Sequence, residues 1–199
     1  SETASRRKLF SCRPTSPATE RPCAEQIISR VGTQAYRRSL TPTDLADLMS
    51  FYDMGVEDGG WERGIQTALQ ASLASPDFLF RLERSAGPTE AGRNYKITDT
   101  ALASRLSFFL WGAPPDQELV SLAAAGTLSN PDALEAQVRR MLDDPRSESL
   151  ATRFAALWLR LQDMDQVQPD AFWFPNFDRH LADAMRRETE LLFHSLIRE

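Results

Sequence analysis

Thr41-Pro42-Thr43-Asp44-Leu45-Ala46-Asp47-Leu48-Met49-Ser50-Phe51-Tyr52 reads as the opening of an α-helix. Threonine suits the N-cap, proline the first helical position, and an acid at the third position answers the positive end of the helix. Leu45, Leu48, Met49 and Tyr52 then recur at the spacing of one helical face, and the stripe stops before Gly55. Glu57-Asp58-Gly59-Gly60 reads as a turn, after which Trp61, Ile65, Leu69 and Leu73 resume the same period.

Working outward, the same signature recurs on both sides. Cys23 to Arg38 is expected to be a helix with Ile27, Ile28, Val31 and Tyr36 among its apolar positions, and Ser75-Pro76-Asp77 opens a short one carrying Phe78, Leu79 and Leu82. A polar stretch from Ser85 to Lys96, with Gly87, Pro88, Gly92 and Asn94, is expected to be a linker. Thr98 opens a helix with Leu102, Leu106, Phe108, Phe109, Leu110 and Trp111, apolar nearly all round and therefore expected to be central. Pro114-Pro115 ends it. Asp116 to Ala125 makes a short helix, Asn130-Pro131 caps one bearing Leu134, Val138, Met141 and Leu142, and Ser147 to Gln162 carries Leu150, Phe154, Leu157, Trp158 and Leu161. An aromatic loop from Pro169 to Phe177 leads into a long final helix.

The composition agrees with this reading. Among 199 residues there are 24 Leu and 24 Ala against 5 Val and 5 Ile, which favours helices and argues against a sandwich, barrel or parallel sheet. The expectation is an all-α protein of about eight helices in a multi-helical, bundle-like arrangement without a sheet. It is organised as a basic arm (1–22), a helical domain (23–84), a linker (85–97) and a second helical domain (98–199). With 42% hydrophobic and 26% charged residues the chain is ordinary for a globular protein, and no apolar stretch approaches the ~20 residues that span a bilayer.

Net charge is −5, unevenly spread: residues 1–40 hold 8 Lys/Arg against 3 Asp/Glu, the rest 15 against 25. Arg6-Arg7-Lys8 is too short a cluster, without interleaved aromatics and attached to an acidic body, to argue for a nucleic-acid partner. A solvated arm, or one lying on that body, fits better. Cys12 and Cys23 flank ten residues that include Pro14, Pro17 and Pro22. A disulfide and two reduced cysteines are both compatible with this spacing. There is no Cys-x-x-Cys-His for covalent haem, and the Cys and His residues are too few and too scattered for structural zinc.

The candidate site residues are exceptions to the apolar pattern. On the last helix, with Leu181 at zero, Leu192 falls at about +20°, Met185 at about +40°, Leu196 at about +60°, Ala184 at about −60° and Leu191 at about −80°. Glu188, at about −20°, sits in the middle of this face. Arg105 sits among Leu102, Leu106, Phe108 and Phe109. A charge in an apolar surround needs a partner, so a buried Arg105–Glu188 pair or network is expected, with a functional carboxylate as the alternative. His180 and His194 lie about 21 Å apart on one helix and cannot share a metal ion within this chain. Phe172-Trp173-Phe174-Pro175-Asn176-Phe177 packs four aromatics into six residues. Exposed, Phe172, Trp173, Phe174 and Phe177 make a docking or sugar-stacking patch; the apolar composition favours a loop folded back on the helices.

Several stretches together resemble a known set: Cys23-Ala24-Glu25 through Ala35-Tyr36-Arg37-Arg38, Ser75-Pro76-Asp77-Phe78-Leu79-Phe80-Arg81, Leu102 to Trp111, Asp144-Pro145-Arg146-Ser147, and Phe174-Pro175 through Arg186-Arg187-Glu188-Thr189-Glu190. The chain resembles the adjacent domains of unknown function of large exported planctomycete-type proteins, many of which also carry a cytochrome-c-like domain. The resemblance implies export to the periplasm or beyond, and with it a Cys12–Cys23 disulfide. It implies that haem, where present, belongs to other domains of the same polypeptide, and that no cofactor belongs to this chain. It also implies a fragment, since the last helical pattern is still running at Arg198-Glu199 where the family continues. No catalytic residues carry over.

The reading that follows is a non-catalytic helical scaffold or docking module of an exported, redox-associated multidomain protein, with other domains or chains of that protein as partners. The alternative is part of an enzyme acting on polysaccharide or another polymer, its site completed by further segments. Non-covalent haem binding through His180 or His194 with a methionine is a weaker third.

Overall fold

The computed structural model describes residues 3–198 apart from 82, 84, 85, 89 and 91. The chain is all-α, about 70% helical, with no strand among the described residues. The places expected for Leu82, for the first linker residue Ser85 and for Glu199 lie outside the described residues. The chain divides into two compact units, Ser1–Ser104 with Pro115–Thr127, and Arg105–Pro114 with Leu128–Glu199.

In the first unit, α1 (Ala4–Leu9) lies within the stretch read as an arm, capped by the Thr3 side chain accepting from the Arg6 N–H. Helix α2 (Pro17–Tyr36) begins six residues before the expected start at Cys23. Pro17 occupies the first helical position and the N–H groups of Thr15 and Ser16 both donate to Thr19 Oγ1 at 3.1 Å, so the cap outweighs the interior Pro22. Segment α3 (Pro42–Ala74) is two helices joined at Gly59-Gly60, where Gly60 takes φ +79°, a conformation side-chain-bearing residues rarely adopt. The two halves fold back so closely that a Cβ on Gly64 would meet the Tyr52 ring at 2.7 Å. Helix α4 (Pro76–Leu79) is capped by Ser75. Cys23, Ala24, Ile27 and Ile28 of α2 pack with Leu48, Met49, Tyr52, Ile65 and Ala68 of α3 as the core. Ile27, Ile28, Leu48, Met49, Tyr52 and Ile65 stand where the spacing predicts, whereas Leu73, expected on the same face, is exposed near the end of α3. Helix α5 (Asp99–Leu110) runs from this unit into the next, and α6 (Gln117–Ala124), capped by Asp116, buries Leu119, Val120 and Ala123.

Charged groups secure this unit. Arg6 and Arg13 both donate to Glu62 Oε1, at 2.6 and 3.2 Å, and their guanidiniums lie over the Phe10 ring. The basic segment therefore lies on the acidic body. Arg30 donates to the carbonyls of Lys8 and Leu9, and a Cys12–Cys23 disulfide ties the same segment to α2. At the end of α2, Arg37 adopts φ 58° and is buried, donating to the carbonyls of Ala35, Asp77, Phe78 and Phe80. Burial pulls its pKa down from the ordinary arginine value, Arg81 adding and Asp77 opposing.

In the second unit, α7 (Pro131–Asp143) starts at Asn130 as the Asn-Pro signal predicts. The expected single helix over 147–162 is instead a 3₁₀ turn at Pro145–Ser147, a π-helical turn at Leu150–Ala155, a short α8 (Ala156–Trp158) and a second 3₁₀ turn at Leu161–Gln166. Arg160, with φ 56°, ends α8. Helix α9 (Arg179–Leu196) is capped by Asp178, whose carboxylate accepts from the Leu181 N–H at 2.8 Å. Helix α1 has no counterpart among the expected helices, and the division of the 147–162 segment adds the other short pieces.

Two stability predictions follow from the first unit. Reducing the Cys12–Cys23 disulfide, or replacing both cysteines by serine, lowers unfolding free energy by about 2–3 kcal/mol, read from urea midpoints with and without dithiothreitol; coincident curves contradict it. Asp44 is held well below the usual carboxylate range by hydrogen bonds from Arg38, against partial burial, with the Thr41 side chain and N–H adding. A depressed folded-state pKa contributes stability that is fully present above the unfolded value near ~4 and is lost as pH falls through the folded value. Asp44→Asn is therefore expected to cost about 1–2 kcal/mol at pH 7, a gap that narrows steadily below pH ~4. A gap unchanged by pH contradicts the assignment.

Candidate functional site

The second unit is built around a tryptophan. Trp111, at the end of α5, is buried and donates through Nε1 to the Met141 carbonyl at 2.9 Å. The Arg146 guanidinium lies over its ring at 3.5 Å from the centroid, and Arg140 approaches the same ring. Asp144 holds Arg146 in that position: Arg146 Nε and Nη2 donate to its two carboxylate oxygens at 2.9 and 2.7 Å, and the Arg146 N–H caps it. This fork lowers the Asp144 pKa to about 2. Ser147 is buried and donates to the Leu142 carbonyl at 2.8 Å. The Asp-Pro-Arg-Ser stretch is thus a clamp on Trp111.

Leu128, Leu150, Ala151 and Ala155 are also buried in this unit, but several of its largest apolar side chains turn to solvent. Phe109, expected to be central, is exposed; its ring meets Phe154 edge-on at 5.4 Å, and Phe154 stacks on Trp158 at 6.1 Å. Trp158 keeps 66% of its surface exposed. The reason is the helical spacing around it: Leu110 and Trp111 take the inward positions, which leaves Phe109 outward. The aromatic loop is exposed as well, against the expectation that it folds back. Phe172 is 81% and Trp173 73% exposed, Phe174 is exposed, and Phe177 alone of the four is half-buried. Asp170 shapes the loop, accepting the Phe172 N–H on its side chain and those of Trp173 and Phe174 on its carbonyl. Phe172 and Trp173 stand edge-to-face at 5.2 Å.

Helix α9 shows the same division on its two faces. Ala182 is buried, and Arg186, Thr189, Glu190, Phe193 and Ile197 are half-buried. Arg186 donates to Asp165 at 2.7 Å and reaches the Leu161 carbonyl, while Arg187 pairs with Glu148 at 2.6 Å and Glu190 at 3.3 Å. These contacts fix which face turns inward. The other face exposes Leu181, Met185, Leu191, Leu192 and Leu196.

That outward face is the one expected to bury Glu188. Glu188 and Arg105 are both exposed, so the expectation of a buried charge pair is corrected at each residue. Periodicity marks an apolar face but not whether another element covers it. His180 is exposed; His194 is half-buried, and its Nε2 has no hydrogen-bond partner among the described residues. Among the described residues no three of His, Cys, Asp and Glu converge as metal ligands, and no helix is long and apolar enough to cross a membrane. The burial of Arg37 leaves no mark in the sequence, because its adjacency to Arg38 hides that one guanidinium points inward and the other pairs with Asp44.

The two faces of α9 predict opposite mutational costs. Leu192→Asp is expected to change unfolding free energy by no more than about 0.5 kcal/mol, whereas Ala182→Asp costs about 3 kcal/mol or more. Urea titrations compare the two, and equal costs would show that the outward face is covered within the chain.

Two adjacent stretches of the chain match family models. Residues 97–199 match the model described as protein of unknown function (DUF1592), and residues 23–83 match that of protein of unknown function (DUF1595). No curated protein and no solved structure matches the chain.

Proposed function

The chain belongs to the DUF1592 protein family, whose model matches over half of it, and on that premise we propose that it is a non-catalytic helical docking module. One observation carries the reading: a clamped scaffold in the second unit holds aromatic and leucine side chains outward, with Phe172 and Trp173 more than 70% exposed. Large apolar side chains in water cost free energy that burial against a partner recovers, about 25 cal/mol per Å². Tryptophan and phenylalanine are also the residues that most often anchor interfaces.

The working site is an exported multidomain protein. The Cys12–Cys23 disulfide supports an oxidising compartment, since such bonds persist outside the reducing cytosol. Partners are other domains or chains of that protein, which carry any haem or redox centre. The first unit, tied down by the disulfide and the Arg37 clasp, serves as a rigid support.

Size-exclusion chromatography of native extract tests this. The chain is expected to elute in an assembly larger than itself. Replacing Phe172, Trp173 and Phe174 together by serine leaves Tm within about 2 °C and moves the chain to the mass of a single copy. A variant that stays in the assembly, or a wild-type chain that elutes alone, contradicts the proposal. Release of the wild-type chain by polysaccharide-degrading enzymes would instead favour a sugar-binding role for the loop.

A further inference from the structure

The exposed face of α9 has one charge in it. Leu181, Ala184, Met185, Leu191, Leu192, Ser195 and Leu196 surround Glu188 within about 80° of one line along the helix, over a length of about 22 Å. The neighbours three and four residues away, Ala184, Met185, Leu191 and Leu192, are all apolar. Other acids on α9 are matched: Asp183 lies within 3.3 Å of Arg179 and Glu190 within 3.3 Å of Arg187. Glu188 has no cation at either spacing on its own helix. A carboxylate placed this way is tolerable in water and costly under an apolar cover, unless the cover brings the opposite charge.

That condition separates the possible occupants. A second copy of the chain, paired through the full stripe on a two-fold axis, sets Glu188 against Glu188. A parallel pair does so in register, and an antiparallel pair does so because Glu188 lies at the midpoint between Leu181 and Leu196. A lipid surface would take the carboxylate into hydrocarbon. A partner helix with leucine-type side chains and one central cation meets both requirements, burying the stripe and matching the charge.

We propose that the outward face of α9 seats an amphipathic helix of a partner, with a lysine or arginine opposite Glu188. This rests on the docking reading above and names its occupant. Glu188 then sets register and excludes self-pairing, as a lone polar group does in a helical seam.

Three fluorescent 18-residue amphipathic peptides test it, each with leucines at helical spacing and a central Lys, Leu or Glu. They are titrated by anisotropy against the wild-type chain, Glu188→Gln and Glu188→Lys, whose exposed positions leave the circular dichroism unchanged. The lysine peptide is expected to bind wild type at least tenfold more tightly than the glutamate peptide. Glu188→Lys inverts that order and Glu188→Gln flattens it. Three equal affinities, no binding, a wild-type dimer in sedimentation velocity, or binding to phosphatidylcholine vesicles in place of peptide overturns the proposal. If any of these occurs while the chain still elutes in its assembly, the helix occupant falls and docking stands; if the chain also elutes alone, both fall.

Discussion

Helix α9 carries apolar side chains on two faces, and a helix lying on the surface of one unit can bury only one of them. The inward face is chosen by polar contacts as much as by packing. Arg186 reaches Asp165 and Arg187 reaches Glu148, and with Ala182 buried between the elements the helix cannot roll without losing these bonds. The leucine stripe is therefore held outward. Its exposure is a consequence of where the arginines find acids, and the functional reading depends on that choice.

The rest of the second unit makes the exposure durable. Arg146 lies over the Trp111 ring, the Met141 carbonyl accepts from its indole N–H, and Asp144 holds the guanidinium through two hydrogen bonds. A surface formed on mobile elements would lose part of its binding energy to ordering; one formed on a clamped scaffold is already arranged. The aromatic loop is shaped in the same way by Asp170, which gathers three backbone N–H groups.

Much of the fold was legible because local chemistry announces it. Caps at Thr41, Asp116 and Asn130, the Gly59-Gly60 break and the stripe Leu45–Tyr52 are each readable within a few residues. The start of α2 was not, because Pro22 reads as a breaker while the cap at Ser16–Thr19 overrides it. The π-helical turn at Leu150–Ala155 was hidden since its residues keep a helical apolar period. The candidate site was half legible. The aromatic loop and the Glu188 face stood out as unusual, yet whether a face is covered depends on tertiary contacts that no single helix encodes. The apolar neighbours of Arg105 and Glu188 point to burial for that reason, yet both residues are exposed.

The Leu192 side of α9 is open in the chain alone, and docking requires that it be covered where the chain works. A cysteine introduced as Leu192→Cys and labelled with maleimide tests this directly, since the two native cysteines are bonded to each other. Rapid labelling of the purified chain is expected, with labelling at least tenfold slower in native extract. Equal rates in the two settings would contradict it.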